Sequence, residues 1–262
     1  GAMISDRFQH LKKLDGILRE FNKKGSSESL VKKLQRTQAS LDASIKKAYV
    51  RHQNLPQPTY PDLPVSHRRD EIIKAIKTNQ VVYALWCNED GYLVDDGTIF
   101  CFDENNFRIC SGERNLNWFE DTAIGFDVTI EDISHLIAAL AFQGPLSCKV
   151  LHMLNANNIE NLKPFCFDQF TINNQEITIS RTGFSGDLGY EVWMVNEIAL
   201  NFWDELFEKG EIYGIKPFGL DALDLVRIEA GLLVPGEDFM VAEFAIRPGS
   251  TRSPFELGLS WL

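Results

Sequence analysis

Two carboxylates that could do chemistry stand side by side at Asp95 and Asp96. Neighbouring residues of a β-strand point their side chains to opposite faces, so only one of the two can face a given ligand. If that carboxylate lies against apolar neighbours such as Tyr83, Trp86 and Phe100, it could orient an amine-bearing ring or accept a proton from it. The alternative interpretation is a solvated acidic pair beside a turn.

A second candidate is the glycine-rich segment 181–191, Arg-Thr-Gly-Phe-Ser-Gly-Asp-Leu-Gly-Tyr-Glu. Its three glycines lie three residues apart, a spacing that permits positive φ angles and close approach of a flat ligand. The spacing is not that of a dinucleotide-binding loop, and Asp187 would repel a phosphate. Glu191 begins a strand-like run, and its carboxylate could bind two N–H groups of a heterocycle. An ordinary loop between strands is the alternative.

A third candidate is Arg227, on a helix predicted over residues 220–230. The spacing places Arg227 on one face with Leu220 and Leu223. A buried guanidinium needs a partner, so it pairs locally with Asp224 or Glu229 or binds an anionic ligand. The five histidines show no metal-ligand spacing, so we predict no metal site.

The elements that position these residues follow from the spacing of the apolar side chains. Helical spacing before residue 54 predicts an αα-hairpin that is interrupted at Gly25, with serines that can cap the second helix. Four prolines then predict an extended linker. Beyond it, strands and helices mix without a regular βαβ alternation, which predicts the α+β class. We therefore predict three parts, at residues 1–54, 55–66 and 67–262. The predicted strands include two short runs, at 107–110 and 126–130, and two strands joined at an Asn-Asn turn, at 167–172 and 176–181.

Charge separates the first part from the rest. Residues 1–54 hold 12 basic and 5 acidic side chains, whereas residues 55–262 hold 14 basic and 32 acidic ones. The acidic body would be repelled by nucleic acid and by anionic membranes, which excludes it from binding either. The basic hairpin could meet RNA or an anionic partner, but it lacks interleaved aromatic residues, which favours a solvated helix face.

The five cysteines are scattered, odd in number and without a Cys-x-x-Cys pair. This pattern is typical of a reduced intracellular protein, in which most of them serve as small core residues. We expect a cytoplasmic location, with the mitochondrial matrix as the alternative.

Five segments together resemble the aminomethyltransferase family, which contains the glycine cleavage T-protein and tetrahydrofolate-dependent demethylases. The segments lie in the family's order over about 180 residues: Tyr-Ala-Leu-Trp-Cys-Asn-Glu-Asp-Gly-Tyr-Leu-Val-Asp-Asp at 83–96, Ala-Phe-Gln-Gly-Pro at 141–145, the glycine-rich segment at 181–191, Arg-Ile-Glu-Ala-Gly at 227–231 and Ser-Pro-Phe-Glu-Leu-Gly-Leu-Ser-Trp at 253–261.

The resemblance implies packed helices and mixed or antiparallel sheets around a central cavity for tetrahydrofolate, whose N5 accepts a one-carbon group from a small amine, ether or sulfonium donor. It implies that Asp96 is the catalytic acid that binds the pterin and helps to activate the folate. Further residues would bind or surround the cofactor: Tyr83, Thr98, Phe184, Glu191, Arg227 and Trp261.

The resemblance also has departures. The basic hairpin stands where the family has an N-terminal segment of strands and helices, and the sequence stops before the family's C-terminal barrel. Leu223 replaces a common arginine, and Cys110 lies where relatives often have asparagine. The alternative function is therefore a non-catalytic relative that uses the fold and the basic hairpin as an interaction module for another protein subunit.

Overall fold

The structure is a computed structural model, and it describes residues 4–53, 67–247 and 249–259. Within these ranges the chain divides into two compact units, one drawn from Gly1–Thr59 with Asn115–Ile130 and the other from Tyr60–Arg114 with Glu131–Leu262. The predicted linker at residues 55–66 lies outside the described residues, so the three-part organisation stays a prediction.

Seven α-helices and seven β-strands are found in the described part of the chain. In chain order they are α1 (Ile4–Lys24), α2 (Glu28–Gln53), α3 (Arg69–Thr78), β1 (Val81–Cys87), β2 (Leu93–Cys101), β3 (Phe107–Ser111), α4 (Leu116–Thr122), β4 (Ile137–Gln143), α5 (Ser147–Met153), β5 (Phe167–Ile172), β6 (Gln175–Ser180), β7 (Gly189–Val195), α6 (Asn196–Gly210) and α7 (Leu220–Ala230). Across the described residues, no helix combines the length and apolar character that crossing a membrane requires.

The strands form two antiparallel sheets. The first has the order β1-β2-β3 and the second the order β4-β7-β6-β5. With these sheets, the mixed helices and the N-terminal hairpin, the predicted α+β class is confirmed.

The hairpin of α1 and α2 ends its first helix where the sequence predicts. Gly25 takes a φ of +72°, and its amide donates to the carbonyl of Phe21 at 2.8 Å. Glycine adopts this left-handed conformation without the penalty that a β-carbon would impose. The hydroxyl of Ser27 accepts the amide of Leu30 at 3.2 Å, so the predicted serine cap is present.

The two-residue turn between β5 and β6 is also confirmed. Asn173 and Asn174 have φ angles of +52° and +59°. Asparagine tolerates this region better than other residues with a β-carbon, and two such residues in succession match the twist of a tight hairpin.

The predicted strand at 126–130 is wrong. Phe126, Val128 and Ile130 alternate as strand residues do, but they lie 44%, 60% and 38% exposed in a segment without strand structure. Alternation predicts a half-buried strand only where a neighbouring strand supplies hydrogen bonds and a covered face.

The cysteines also depart from the prediction. All five thiols are free, but each is only half-buried. Cys87 and Cys101 end β1 and β2, and Cys110 lies on the edge strand β3. Positions at strand ends and on edge strands are covered from fewer sides than the centre of a sheet, which explains the partial exposure.

The two faces of the four-stranded sheet have different partners. Ile179 and Val192 point towards α5 and α6, where they join the main core with Leu151 and Phe202. The opposite face carries Trp193, and cross-strand pairing places Ser180 and Glu191 on that same face. Period-two alternation along β7 thus separates the core from a second, more polar surface.

An aromatic cluster joins this second surface to the three-stranded sheet. The Phe100 ring on β2 lies 5.6 Å from the ring of Trp193 on β7, edge to face, and 5.7 Å from that of Phe167 on β5. Val81 completes the buried part of the cluster. Because Phe100 shares its strand face with Thr98 and Asp96, the cluster turns these residues towards the face of β7 that carries Glu191.

Candidate functional site

Strand β2 separates the two adjacent carboxylates. Asp96 pairs with Leu85 of β1, whereas Asp95 pairs with Trp86 on the other face. Asp95 is 1% exposed, and it accepts the amides of Asp96 at 2.8 Å and of Glu113 at 3.3 Å. Asp95 therefore holds the backbone after β3 in place through hydrogen bonds. Asp96 is the carboxylate that faces the second sheet.

The apolar neighbours expected for the inward carboxylate are correct only in part. Tyr83 and Phe100 share the face of Asp96, but Trp86 lies on the face of Asp95. Tyr83 and Trp86 are three residues apart in one strand, and an odd separation places side chains on opposite faces.

Tyr83 holds the carboxylate of Asp96. Tyr83 pairs directly with Thr98, so its phenol reaches Asp96 diagonally and donates to Oδ2. Burial raises the pKa of Asp96, the Tyr83 hydrogen bond opposes that rise, and the neighbouring charge of Asp95 adds to it. Burial and the same carboxylates raise the pKa of Tyr83. A raised pKa brings a carboxyl group closer to the range in which general acid–base catalysts work.

Cys110 links this group to the second sheet. It is the cross-strand partner of Thr98 between β2 and β3. Burial raises the pKa of the Cys110 thiol to about 11, and the negative charge of Glu191 adds to the rise. The Phe100–Trp193 contact places the face of β7 that carries Glu191 against the face of β2 that carries Thr98 and Asp96.

Glu191 lies on β7 between Ala141 of β4 and Ser180 of β6. The hydroxyl of Thr182 donates to its Oε2. Burial raises the pKa of Glu191, while the hydroxyls of Thr182 and Ser180 oppose that rise. The carboxylate has acceptor positions beyond the one that Thr182 uses, so it can also accept N–H groups of a ligand.

The space beside two glycines of segment 181–191 is occupied by a side chain of the protein itself. A β-carbon on Gly189 would lie 1.9 Å from Oε1 of Gln143, and one on Gly183 would lie 2.3 Å from the same atom. The Gln143 amide donates to the carbonyl of Tyr190 at 3.1 Å, and Ser185 donates to Gln143 at 2.8 Å. Space expected for a flat ligand at these two glycines is thus filled by Gln143.

Only the middle glycine has the expected backbone conformation. Gly186 has a φ of +70°, whereas neither Gly183 nor Gly189 has a positive φ. A β-carbon on Gly186 would lie 2.4 Å from that of Ala230, so the loop packs closely against the end of α7.

Arg227 is held by acidic partners within the chain. It is 4% exposed, its Nε donates to Asp224 at 2.6 Å, and its Nη1 donates to Asp238 and to the carbonyl of Leu232. Burial disfavours its charge, but the bonds to Asp238 and Asp224 outweigh burial and raise the pKa of Arg227. Local pairing, the first of the two alternatives considered for Arg227, is what the structure shows.

A groove of about 470 Å³ lies beside the Glu191 strand. It is lined by Ala141 and Gln143 of β4, by Trp203 of α6 and by residues before and within α7. Ala141 is the cross-strand partner of Glu191, so the groove begins one strand away from the carboxylate. Neither Asp96 nor Glu191 lines this groove, and the predicted central folate cavity stays a prediction.

The structure brings part of the predicted set together. Tyr83, Asp96 and Thr98 share one face, and Glu191 faces them from the second sheet. Phe184 is half-buried in the loop before β7, and Trp261 lies outside the described residues.

Ser180 and Thr182 are the site residues that the sequence analysis missed. Both are buried beside Glu191. The sequence pattern that could have identified them is a pair of hydroxyl residues two positions apart, directly after the alternating Ile177 and Ile179.

Two antiparallel sheets, each with a largely buried carboxylate, define an α+β domain. The chain belongs to the GCVT N-terminal domain family, whose model matches residues 71–262. The resemblance seen in the sequence is thereby confirmed.

Curated relatives agree with this membership. An aminomethyltransferase from Thermoanaerobacter sp. (strain X514) is 36% identical over 171 residues, which are 63% of this chain and 46% of the relative. An aminomethyltransferase from Caldanaerobacter subterraneus subsp. tengcongensis is 34% identical over 194 residues, which are 72% of this chain and 50% of the relative. The chain spans about half the length of the curated relatives it matches.

A solved structure shows the same fold. The crystal structure of glycine cleavage system aminomethyltransferase T from Bartonella henselae matches with a TM-score of 0.56 and 24% sequence identity. The match covers 70% of this chain and 47% of that chain.

Proposed function

We propose that this chain is the folate-binding part of a tetrahydrofolate-dependent one-carbon transferase. Its substrate would be a methyl or aminomethyl group on a small amine, ether or sulfonium donor. The observation that carries the proposal is the pair of carboxylates on facing sheets, Asp96 beside Tyr83 and Glu191 beside Thr182. The names of the curated relatives support it. The chain spans about half the length of those relatives, so activity of the chain by itself is also part of the proposal.

The residues present fit a pterin. Glu191 is a carboxylate acceptor for the N–H groups of the ring, and Tyr83 and Thr98 supply flanking polar contacts. Tetrahydrofolate supplies N5 as the nucleophile that accepts the one-carbon unit. Asp96, with its raised pKa, would hold or move a proton beside that ring. Holding the reactants in place and excluding water would contribute as much as either acid.

Three further residues belong to the proposal with less direct support. Phe184 would contact the ring from its loop. Arg227 is already bound to Asp224 and Asp238, which supports a role in shaping the wall of the site. Trp261 is proposed from the family motif alone.

The proposal is tested by titrating the whole chain with tetrahydrofolate while tryptophan fluorescence is followed. Trp193 shares the strand face of Glu191 and is a suitable reporter. Asp96→Asn and Glu191→Ala should each weaken binding, whereas Glu229→Gln, a change at an exposed position on α7, should not. Absence of binding by the intact chain, or binding that neither variant alters, would contradict the proposal.

The donor is identified separately. The chain, tetrahydrofolate and a panel of methylated amines, ethers and sulfonium compounds are mixed, and methyl- or methylene-tetrahydrofolate is detected by mass spectrometry. Folate binding without product from any donor would favour a non-catalytic folate-binding relative.

We also infer a second function, as an interaction module, from the surface of the hairpin. Leu11, Leu18 and Leu34 are 66%, 57% and 46% exposed among an excess of basic residues. Exposed apolar residues within a basic surface fit an acidic protein subunit. Light scattering at low and high salt tests association, and Leu18→Gln with Leu34→Gln should weaken it. If the parent chain and the double variant are both monomeric at low and at high salt, docking through the hairpin is contradicted.

A further inference from the structure

Four polar side chains form a continuous row that ends at Glu191. The indole N–H of Trp193 donates to the hydroxyl of Ser180 at 3.3 Å, and the hydroxyls of Ser180 and Thr182 lie 2.6 Å apart. Thr182 in turn donates to Oε2 of Glu191. Ser180 is 0% and Thr182 8% exposed, so the row is shielded from water.

The number of protons fixes the direction of the row. An indole nitrogen only donates, and a hydroxyl has a single proton to give. With Glu191 ionised, Thr182 gives its proton to the carboxylate, and Ser180 then donates to Thr182. Ser180 then accepts the proton of Trp193, and every hydrogen bond in the row points towards the carboxylate.

Protonation of Glu191 would disturb this order. A protonated carboxyl that donates to Thr182 would force Thr182 to donate to Ser180. Ser180 would then have to donate to the backbone carbonyl of Glu191, which is 3.4 Å away. The 2.6 Å contact between the hydroxyls is kept in either order, so reversal leaves Ser180 with an acceptor at the weak end for an O–H donor. Donation by Thr182 to the charged carboxylate opposes the rise in pKa that burial causes at Glu191.

We propose that Trp193, Ser180 and Thr182 are positioning residues that hold Glu191 as a fixed hydrogen-bond acceptor and so select flat rings that present N–H groups. The selection of the ring rests on the proposed function, but the orientation of Glu191 does not. A carboxylate held by one oxygen keeps its plane and its remaining acceptor positions constant. Rings that present acceptors at that edge would meet a like partner and be rejected.

Among the groups around Glu191, the hydrogen-bonded row has the main influence on its orientation and protonation. The thiol of Cys110 faces it from the three-stranded sheet, and burial keeps that thiol neutral by raising its pKa to about 11. On β4 its neighbour is Ala141. Arg181, next to Ser180, donates to the carbonyl of Leu162 at 2.9 Å.

The orientation is tested with the whole chain and without ligand. Glutamate side chains are labelled with ¹³C, and the Glu191 resonance is assigned by its loss in Glu191→Gln and followed through a pH titration. Thr182→Val should move its midpoint upwards, because a donor to the charged form is lost. Ser180→Ala should move it less, and Trp193→Phe least.

Two further variants separate positioning from general disturbance. Thr182→Ser restores the hydroxyl and should restore the midpoint. Thr178→Val removes a half-buried hydroxyl two residues before Ser180 on the same strand face, and it should leave the midpoint in place. An unmoved midpoint in Thr182→Val, or one that Thr182→Ser fails to restore, would overturn the proposal.

The ligand measurement keeps the two proposals distinguishable. Thr182→Val should weaken tetrahydrofolate binding about tenfold, the effect of losing one hydrogen bond to a charged group, and Thr182→Ser should recover it. A shifted midpoint in a chain that never binds tetrahydrofolate would refute the proposed function and retain the positioning role. Normal binding with an unshifted midpoint would do the reverse.

Discussion

Asp96 and Glu191 are the same kind of group in two different surroundings. Asp96 accepts the phenol of Tyr83 and follows a second buried carboxylate, Asp95, whose charge raises the pKa of Asp96 further. Glu191 accepts a hydroxyl that is itself supplied by a second hydroxyl, and both lower its pKa against the effect of burial. Burial raises the pKa of both groups, but a neighbouring charge adds to the rise at Asp96, whereas two hydroxyls oppose it at Glu191.

The difference assigns separate tasks to the two sheets. A carboxyl near another negative charge exchanges protons readily, which suits Asp96 to proton transfer. A carboxylate fixed by donors recognises N–H groups, which suits Glu191 to ligand binding. Substitution of each carboxylate by its amide tests whether the tasks are separate.

The largest effect is expected from Asp96→Asn. Loss of a positioned acid or base lowers rates by about 10²–10⁴-fold, so turnover should fall by that amount while tetrahydrofolate affinity changes much less. Single-turnover formation of the folate product, measured with the donor found above, checks this. An equal fall in rate and affinity would show that Asp96 acts mainly in binding.

Glu191→Gln should show the opposite division. The amide presents N–H groups where the ligand needs acceptors, so the dissociation constant for tetrahydrofolate should rise about 10- to 100-fold. At saturating tetrahydrofolate, the rate should stay close to that of the parent chain. If saturating tetrahydrofolate does not restore the rate, Glu191 does more than bind the ligand.

The backbone beside each carboxylate should differ in tolerance. A β-carbon on Gly97, next to Asp96, would lie 2.1 Å from the carbonyl oxygen of Cys110, whereas one on Gly189 would meet the flexible end of Gln143. Gly97→Ala should therefore lower the free energy of unfolding by about 3 kcal/mol and Gly189→Ala by about 1–2 kcal/mol. Denaturant unfolding measures both.

Gly112→Ala is the matched control for these two changes. A β-carbon on Gly112 meets nothing within 4 Å, and its φ is not positive. Its free energy of unfolding should match that of the parent chain. A Gly189 variant as unstable as the Gly97 variant would mean that Gln143 cannot move aside.

The smallest effect is expected from Tyr83→Phe. The Tyr83 hydrogen bond lowers the pKa of Asp96, so its removal should raise that pKa further. The native state binds this proton more tightly than the unfolded state does. The free energy of unfolding therefore falls as the pH rises from the ordinary value for aspartate through the folded pKa.

In Tyr83→Phe that fall should extend to higher pH, and urea unfolding at a series of pH values measures it. Asp96→Asn, which cannot titrate, should lack this component. Identical pH profiles for the parent chain and Tyr83→Phe would exclude an effect of the phenol on Asp96.

Local sequence signals were enough for much of the fold. Gly25 and the serines after it define the hairpin turn, and Asn173 with Asn174 define a strand turn, because these residues act through their own backbone conformation. The run at 126–130 failed because its alternation needed a partner strand that local spacing does not reveal.

The candidate site was predictable only as single residues. Spacing shows that one of Asp95 and Asp96 faces a ligand, but the register against β1 decides which. The contact from Thr182 to Glu191 joins residues nine positions apart and depends on two strands lying side by side. The pairing of Arg227 with Asp238 joins residues 11 positions apart, across the end of α7 and the irregular chain that follows it.

The side chain of Gln143 has a consequence for how this sequence can change over time. Its amide occupies the space that any larger residue at positions 183 or 189 would need, although these positions lie at least 40 residues away in the chain. A lineage can enlarge either glycine without a loss of stability only after residue 143 has become shorter. The three positions should therefore vary together among related sequences, so that drift at one becomes a condition on the other two.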